Sequence, residues 1–419
     1  MLKSQIVEAT SFNQSRCEIS IPKKMSASLK LCNVGVYGGV GYPVDGVIGQ
    51  LASINKVVLR DGSTVLSQYD RKFNNLMEFI NLASTNSKNR NINKSLHASN
   101  YGMLLQNGGS TGAANAIGGI VAGELAVRPR VCIDKKNLKI SAVTEADSDL
   151  AQLDLQNLLG FCKANFVLSG GEVNGVIPFH LLSNPRLTIE FVSDPTTVCA
   201  NCTTFAQPYL IFDEVVDMNL EDAFVKGQSS LNAQYTDYEL ESVYLGTATS
   251  SKAYLNGFFG KTVDNMIMMV DDGNATPLSQ VQDGEQFKLS VNNIDLMNLT
   301  SGIDHPGKKA CFTRMNGLDL NIVSMGDRVV NLYGTQAADS NASDTSLYEG
   351  VQNSLSTETN FYNEGTQSYL VMPILTKINT LKIDYIRTSN NNITLLFWAA
   401  VGKIMTFDKN TGATSVSYL

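Results

Sequence analysis

The sequence predicts an all-β protein built as two sandwich-type domains in tandem, with short helices and long loops. Three observations carry that expectation. Short apolar segments alternate with polar residues at period two and are set apart by turn residues. Charged residues make up only 17% of the chain, so its polar surface falls to Asn, Ser, Thr, Gln and Gly, which favour turns and strand faces over helices. The third observation is a strand pattern that occurs twice. Leu187-Thr188-Ile189-Glu190-Phe191-Val192 and Leu381-Lys382-Ile383-Asp384-Tyr385-Ile386 both read Leu, polar, Ile, acid, aromatic, β-branched. Alternation puts Leu187, Ile189 and Phe191 on one strand face, and does the same for Leu381, Ile383 and Tyr385.

The surroundings of the two copies match as well. Ile177-Pro178-Phe179 leads into the first and Met372-Pro373-Ile374 into the second. Tyr209-Leu210-Ile211-Phe212 follows the first, and Leu395-Leu396-Phe397-Trp398 the second. Two strands can share six residue classes by chance, but matched entries and exits favour a duplicated β-domain. A repeat of about half of 419 residues is far longer than the ~20–50 residues of solenoids and propellers. Each copy must therefore hold its own core.

Taken in order, residues 1–33 read as an entry arm followed by a strand, with Ile19, Ile21, Leu29 and Leu31 among polar residues. Gly35 to Gly49 carries six glycines and reads as a loop. Ser53 to Leu59 is a strand, Asp61-Gly62 a hairpin signal, and Thr64-Val65-Leu66 the return. Phe73, Leu76, Met77 and Ile80 space a helix over Lys72–Leu82. Residues 84–126 are polar and then Gly/Ala-rich, an excursion from the β-core. Val131–Val143 is strand, and the leucines of Asp147–Phe161 suit a short helix. Strands follow at Phe166–Leu168, Val176–Phe179, Leu187–Val192 and Tyr209–Val216.

The first domain thus covers 1–217, with its excursion at about 72–126, and the junction 218–232. The second domain, 233–419, opens with strands at Tyr238–Leu245, Tyr254–Phe259, Met266–Val270 and Phe287–Val291. A helical stretch is expected at Ile294–Leu299, and strands at Leu318–Val323 and Val329–Leu332. Residues 334–366 are polar and aperiodic, a long surface loop of the kind that is usually functional or mobile. Three strands close the chain: Tyr369–Leu375, Leu381–Ile386 and Ile393–Phe407.

Composition narrows the function. The net charge is −7 with no run of Lys or Arg, so no nucleic-acid groove is expected. Low charge with 43% apolar residues suits a protein that buries surface against neighbours. Met1-Leu2-Lys3-Ser4-Gln5 has no apolar signal core, and no apolar run is long enough to span a bilayer. Seven cysteines without such a signal point to free thiols in a reducing compartment.

No constellation carries clear chemistry. Gly257-Phe258-Phe259-Gly260-Lys261-Thr262 ends like a phosphate loop, but Leu255 stands where that loop needs its first glycine. The glycines from Gly35 to Gly41 have the wrong spacing for a dinucleotide fingerprint, and Tyr42-Pro43 follows where a helix should begin. Cys199 and Cys202 form a lone CxxC, without the second pair a zinc site needs; whether they are bonded to each other stays open. Of three histidines, His97, His180 and His305, His180 reads as a packed residue; a Cys162/His180 nucleophile pair has no orienting context. Asp213-Glu214 and Asp271-Asp272 read as solvated acids. No catalytic, cofactor-binding or metal-binding residue is expected, and no enzymatic activity.

Four segments carry a family resemblance. They are Ile54 to Gly62 after the glycine-rich loop, Val176-Ile177-Pro178-Phe179 leading through Asn184-Pro185 into Leu187–Val192, Tyr209 to Val215, and the closing pair Leu381–Ile386 and Leu395–Ala400. In this arrangement the chain resembles the double jelly-roll major capsid proteins of icosahedral DNA viruses. The resemblance is one of architecture over nearly the whole chain. It implies two upright jelly rolls per subunit and a homotrimer forming a pseudo-hexagonal capsomer that tiles a virion shell. It further implies synthesis in the host cytoplasm or nucleus. Implied partners are neighbouring capsomers, penton and minor capsid proteins, and an internal membrane, toward which the N-terminal arm would face. The alternative is a two-domain carbohydrate-binding or adhesin-type module with a pocket of exposed aromatics; the single Trp398 sits in an apolar strand, which weakens it. A β-sandwich hydrolase is least supported.

Overall fold

A computed structural model describes residues 1–37, 53–71, 152–197, 203–226, 229–271, 286–299, 369–387 and 392–419. In the first half these form β1 (Leu2–Val7), β2 (Ser11–Phe12), β3 (Arg16–Ser20), β4 (Met25–Cys32), β5 (Val36–Tyr37), β6 (Ile54–Asp61) and β7 (Thr64–Asp70). After β8 (Gln152–Asp154) and the one-turn helix α1 (Leu155–Leu158) come β9 (Asn165–Leu168), β10 (Gly171–Val173), β11 (Ile177–Pro178), β12 (Pro185–Phe191), β13 (Thr204–Phe205) and β14 (Tyr209–Val215). Helix α2 (Met218–Val225) leads to the second half. That half holds β15 (Ser230–Gly246), β16 (Ser250–Tyr254), β17 (Thr262–Asp271), β18 (Gln286–Val291) and β19 (Ile294–Leu299). It closes with β20 (Tyr369–Lys377), β21 (Leu381–Ile386), β22 (Ile393–Asp408) and β23 (Thr414–Tyr418).

The two halves share one wiring diagram. In the first, sheets run β1-β14-β4-β11 and β3-β12-β6-β7, with β2 beside β3 and β8 beside β4. In the second they run β15-β22-β17-β20 and β16-β21-β18-β19. Ranked by chain order among the eight principal strands of each half, the first, eighth, third and sixth make one sheet. The second, seventh, fourth and fifth make the other, in both halves. That order is a jelly roll. The matched segments of the sequence occupy matched places. β12 and β21 are both seventh strands, β11 and β20 both sixth, β14 and β22 both eighth.

Each sandwich is closed by alternating residues. Leu187 and Ile189 of β12 are fully buried, as are Ile383 and Tyr385 of β21. The first core adds aromatic contacts, with Phe191 stacked on Phe205 at 4.8 Å and Phe161 edge-on to Tyr235 at 5.5 Å. Yet the halves are not independent. β9 and β10 of the first half extend the sheet of β15. Leu231, Ala233 and Tyr235 of β15, with Met405 and Phe407 of β22, lie in the first core. Further along the same strands, Leu245, Ile393, Leu395, Phe397, Ala399 and Val401 lie in the second.

Several expectations change. Ile294–Leu299 is strand β19, not helix, because Asn292 and Asn293 both take positive φ (50° and 64°) and turn the chain into a hairpin with β18. Asp147–Phe161 is not one helix over its described part. Gln152–Asp154 pairs with β4, α1 is a single turn capped by the Asp154 side chain, and a 3-10 turn spans Gly160–Lys163. The strand expected at Tyr254–Phe259 ends at Tyr254, and Asn256–Phe258 forms a 3-10 turn. β15 starts at Ser230, inside the expected junction, and β11 is only two residues before a 3-10 turn at Phe179–Leu181. In the stretch read as an arm, Leu2–Val7 pairs along its length with β14. β23 was not expected. The hairpin at Asp61-Gly62 forms as read, with Gly62 at φ 57°. Most of the Gly35–Gly49 loop, the Lys72–Leu82 helix, the excursion to 126, the strands at 131–143, 318–323 and 329–332, and the 334–366 loop lie outside the described residues.

Two outcomes follow from the shared strands. A fragment ending at Lys226 lacks the five core residues supplied by β15 and β22, so it should show no cooperative urea transition while the full chain does. At Gly160, a Cβ would stand 1.9 Å from the Thr236 carbonyl oxygen. Gly160→Ala should therefore cost on the order of 3 kcal/mol in urea unfolding.

Candidate functional site: the joint between the sandwiches

Between the two cores, one face of β15 turns polar. Leu231, Ala233 and Tyr235 are followed on that face by Asp237, Glu239 and Glu241, and then by Val243 and Leu245. β22 runs antiparallel beside it, with Lys403 opposite Tyr235 and Val401 opposite Asp237. Asp237 is only 4% exposed. Its Oδ1 accepts from Ser67 Oγ of β7 (2.6 Å) and from the Gly160 N–H (2.9 Å), and its Oδ2 from Lys403 Nζ (3.3 Å). One carboxylate thereby ties β7 and the Gly160 turn of the first sandwich to both long strands.

The network continues outward. Lys403 also reaches Glu239 Oε1 at 3.3 Å, and Lys261 Nζ donates to Glu239 Oε2 at 2.7 Å. Tyr418 of β23 donates to Glu239 Oε1 at 3.0 Å, and its ring lies under Lys261 Nζ, 4.4 Å from the centroid. Leu419 pins the same corner: its N–H donates to the Gly402 carbonyl, and its main-chain oxygen accepts from Thr262. A second set of bonds runs along the edge of β7. Thr414 Oγ1 donates to Asp61 Oδ2 at 2.5 Å, Thr64 Oγ1 to the Thr414 carbonyl at 3.0 Å, and Tyr235 OH to the Leu66 carbonyl at 2.5 Å.

Burial raises the Asp237 carboxyl above the ordinary aspartate range, against the pull of Lys403, Ser67 and the Gly160 N–H. Burial would lower Lys403, but Asp237 and Glu239 outweigh it and raise the ammonium. Glu239 stays below its usual value because the Lys261 hydrogen bond and the Lys403 charge overcome its own desolvation. These groups form a closed set of donors, acceptors and opposite charges, a clasp rather than a reacting centre.

The sequence candidates fall elsewhere. Cys162 is fully desolvated, which pushes its thiol far up, and neither ring nitrogen of His180 has a hydrogen-bond partner. The two do not make a nucleophile pair. In Gly257–Thr262 the Gly257 N–H is held by Glu241 Oε2 (3.0 Å) and Lys261 by Glu239. Asp213 and Glu214 are not free solvated acids. Asp213 accepts from Ser4 and Ser28, and Glu214 is gripped by Lys24 at 2.7 Å. Trp398 is fully buried and so offers no face to a sugar. Cys199, Cys202, His97 and His305 lie outside the described residues. Among the described residues no group of three or more His, Cys, Asp or Glu is placed to hold a metal, and no helix is long and apolar enough to cross a membrane.

Sequence comparison finds no matching family and no matching curated protein. Solved structures do match. PBCV-1 VP54, a crystal structure fitted into a reconstruction of the virophage Sputnik, aligns with TM-score 0.53 and 8% identity over 100% of this chain and 97% of its own. The Sputnik virophage structure aligns at 0.47 and 9% over 100% and 88%, and the mavirus major capsid protein at 0.42 and 10% over 99% and 90%. The first of these, read with the repeated strand order, fixes the class: the chain has the double jelly-roll fold.

The joint is open to test. Lys403→Met leaves Asp237 buried without its cation and should cost about 3 kcal/mol in urea unfolding, part of it recovered by adding Asp237→Asn, which removes the charge and keeps an acceptor for Ser67 Oγ and the Gly160 N–H. Glu239, held below its unfolded value of about 4.5, contributes stability that is present above that pH and lost as pH falls through its lower folded value. Glu239→Gln should flatten that part of the acid unfolding curve.

Proposed function

We propose that this chain is the major capsid protein of an icosahedral virus, a structural protein that acts by locking to copies of itself and not by catalysis. The observation that carries the reading is a double jelly roll matching VP54 over 100% of this chain and 97% of that one. Three chains, each with two upright jelly rolls, form a pseudo-hexagonal capsomer, and capsomers tile the shell of the virion. Penton proteins, minor capsid proteins and an internal membrane are its further neighbours.

Two features of the chain support this. The joint holds the two sandwiches as one block, which a rigid tile requires. The outer strand β1 pairs on one side with β14 and, among the described residues, with no strand on the other. Around it stand Met1, Leu2, Ile6, Val216 and Met218, all exposed. An apolar, open strand edge is a liability in an isolated chain and an asset in one that is covered by a neighbour.

Light scattering on the purified protein should give three times the 45.4 kDa chain mass. A stable monomer that binds glycans would point instead to the carbohydrate-binding alternative.

A further inference from the structure

Helix α2 carries the chain from the first sandwich toward the second, and His180 lies against it. The imidazole packs edge-on to Phe224 of α2, with centroids 6.3 Å apart and planes at 75°. Phe224 is fully buried and also meets Phe166 of β9 at 5.7 Å. Both ring nitrogens of His180 are shut off from solvent and have no hydrogen-bond partner. A neutral ring bears this at some cost; an imidazolium without a partner would bear much more.

The charges around the ring are few among the described residues. α2 brings Glu221, one turn before Phe224, whose charge favours the imidazolium. On the same helix Asp217 caps the first turn, and Asp222 and Lys226 are paired with each other in solvent. The 3-10 turn Phe179–Leu181 adds no other charge. β4, packed against that turn, carries Lys30, which is held by Asp213 of β14, and Glu214 of β14 is held by Lys24. Among the described residues Glu221 is therefore the one opposing charge that acts on His180, and burial outweighs it, holding the imidazole below its ordinary range.

We propose that His180 is an acid-operated latch on α2. The neutral ring seats the helix at neutral pH, and uptake of a proton unseats it, loosening the segment that connects the sandwiches. The latch belongs to the single chain and operates whether or not the chain assembles. The folded imidazole is harder to protonate than the unfolded one, whose pKa is 6.5. The seated helix thus keeps its full stability above that pH and loses stability as pH falls below it.

The test is hydrogen exchange on the full chain at pH 7.5 and 5.5, corrected for intrinsic rates and read at the α2 amides. These include Lys226, whose N–H donates to the Asp222 carbonyl. Protection there should fall severalfold at the lower pH, short of the roughly tenfold ceiling that an unfolded pKa of 6.5 sets between these two pH values, while amides in β12 hold theirs. His180→Phe should abolish the fall. Glu221→Gln, on the exposed side of the helix, should deepen it. Equal wild-type protection at both pH values overturns the proposal, as does a fall that persists in His180→Phe. Should His180→Phe not fold, Glu221→Gln decides alone: a fall equal to or smaller than the wild-type one overturns it.

Discussion

The structure depends on one pairing, that of β15 with β22. These strands are 17 and 16 residues long and stay in antiparallel register for nearly all of that length. A single sandwich has no use for strands so long. Here the lower end of the pair completes the first core and the upper end forms the centre of the second. The same face of the same two strands must serve both, and between the cores it crosses a gap that apolar side chains cannot fill from either side. Asp237, Glu239, Glu241 and Lys403 occupy that gap. Placing charge there is costly unless every charge is met, and the network meets them with Ser67, the Gly160 N–H, Lys261, Tyr418 and the Gly257 N–H. The result is a polar seam between two dry cores, with its bonds crossing from one half to the other.

That seam sets what the molecule is suited to do. Two sandwiches joined by a loose linker would flex about it. Here the two sandwiches share a pair of continuous strands, a clasped carboxylate and a row of bonds along β7, so a flexing motion between them would have to break those bonds. The proposed tile needs this, because neighbour contacts made by one jelly roll fix the place of the other. Several of the described charges are paired within the chain, as Lys24–Glu214, Lys30–Asp213, Lys261–Glu239 and Lys403–Asp237.

Much of the fold was legible in the residues. The Leu187 and Leu381 segments announced equivalent strands because each alternates cleanly and buries one face. The hairpin at Asp61-Gly62 was plain because glycine takes the left-handed turn residue at no steric cost. Asn292-Asn293 is the same device in a less familiar form, and without it the apolar spacing of Ile294–Leu299 suits a helix as well as a strand. The leucines near 153–159 match a helical spacing, yet pairing with β4 claimed Gln152–Asp154 and left α1 one turn. The joint itself is written in the sequence. On one face of β15 the apolar alternation breaks into three acids and then resumes; on β22 the matching face breaks once, at Lys403. A polar interruption in two long alternating strands marks where one core ends and another begins. The His180 contact had no such signal, since it brings together a turn and a helix far apart in the chain.

The central claim is that this block acts by assembly with its own kind. Negative-stain electron microscopy of the purified protein tests it most directly. The account predicts particles with three-fold symmetry and a hexagonal outline, two lobes per subunit. Single two-lobed particles that do not associate as the concentration is raised would contradict it.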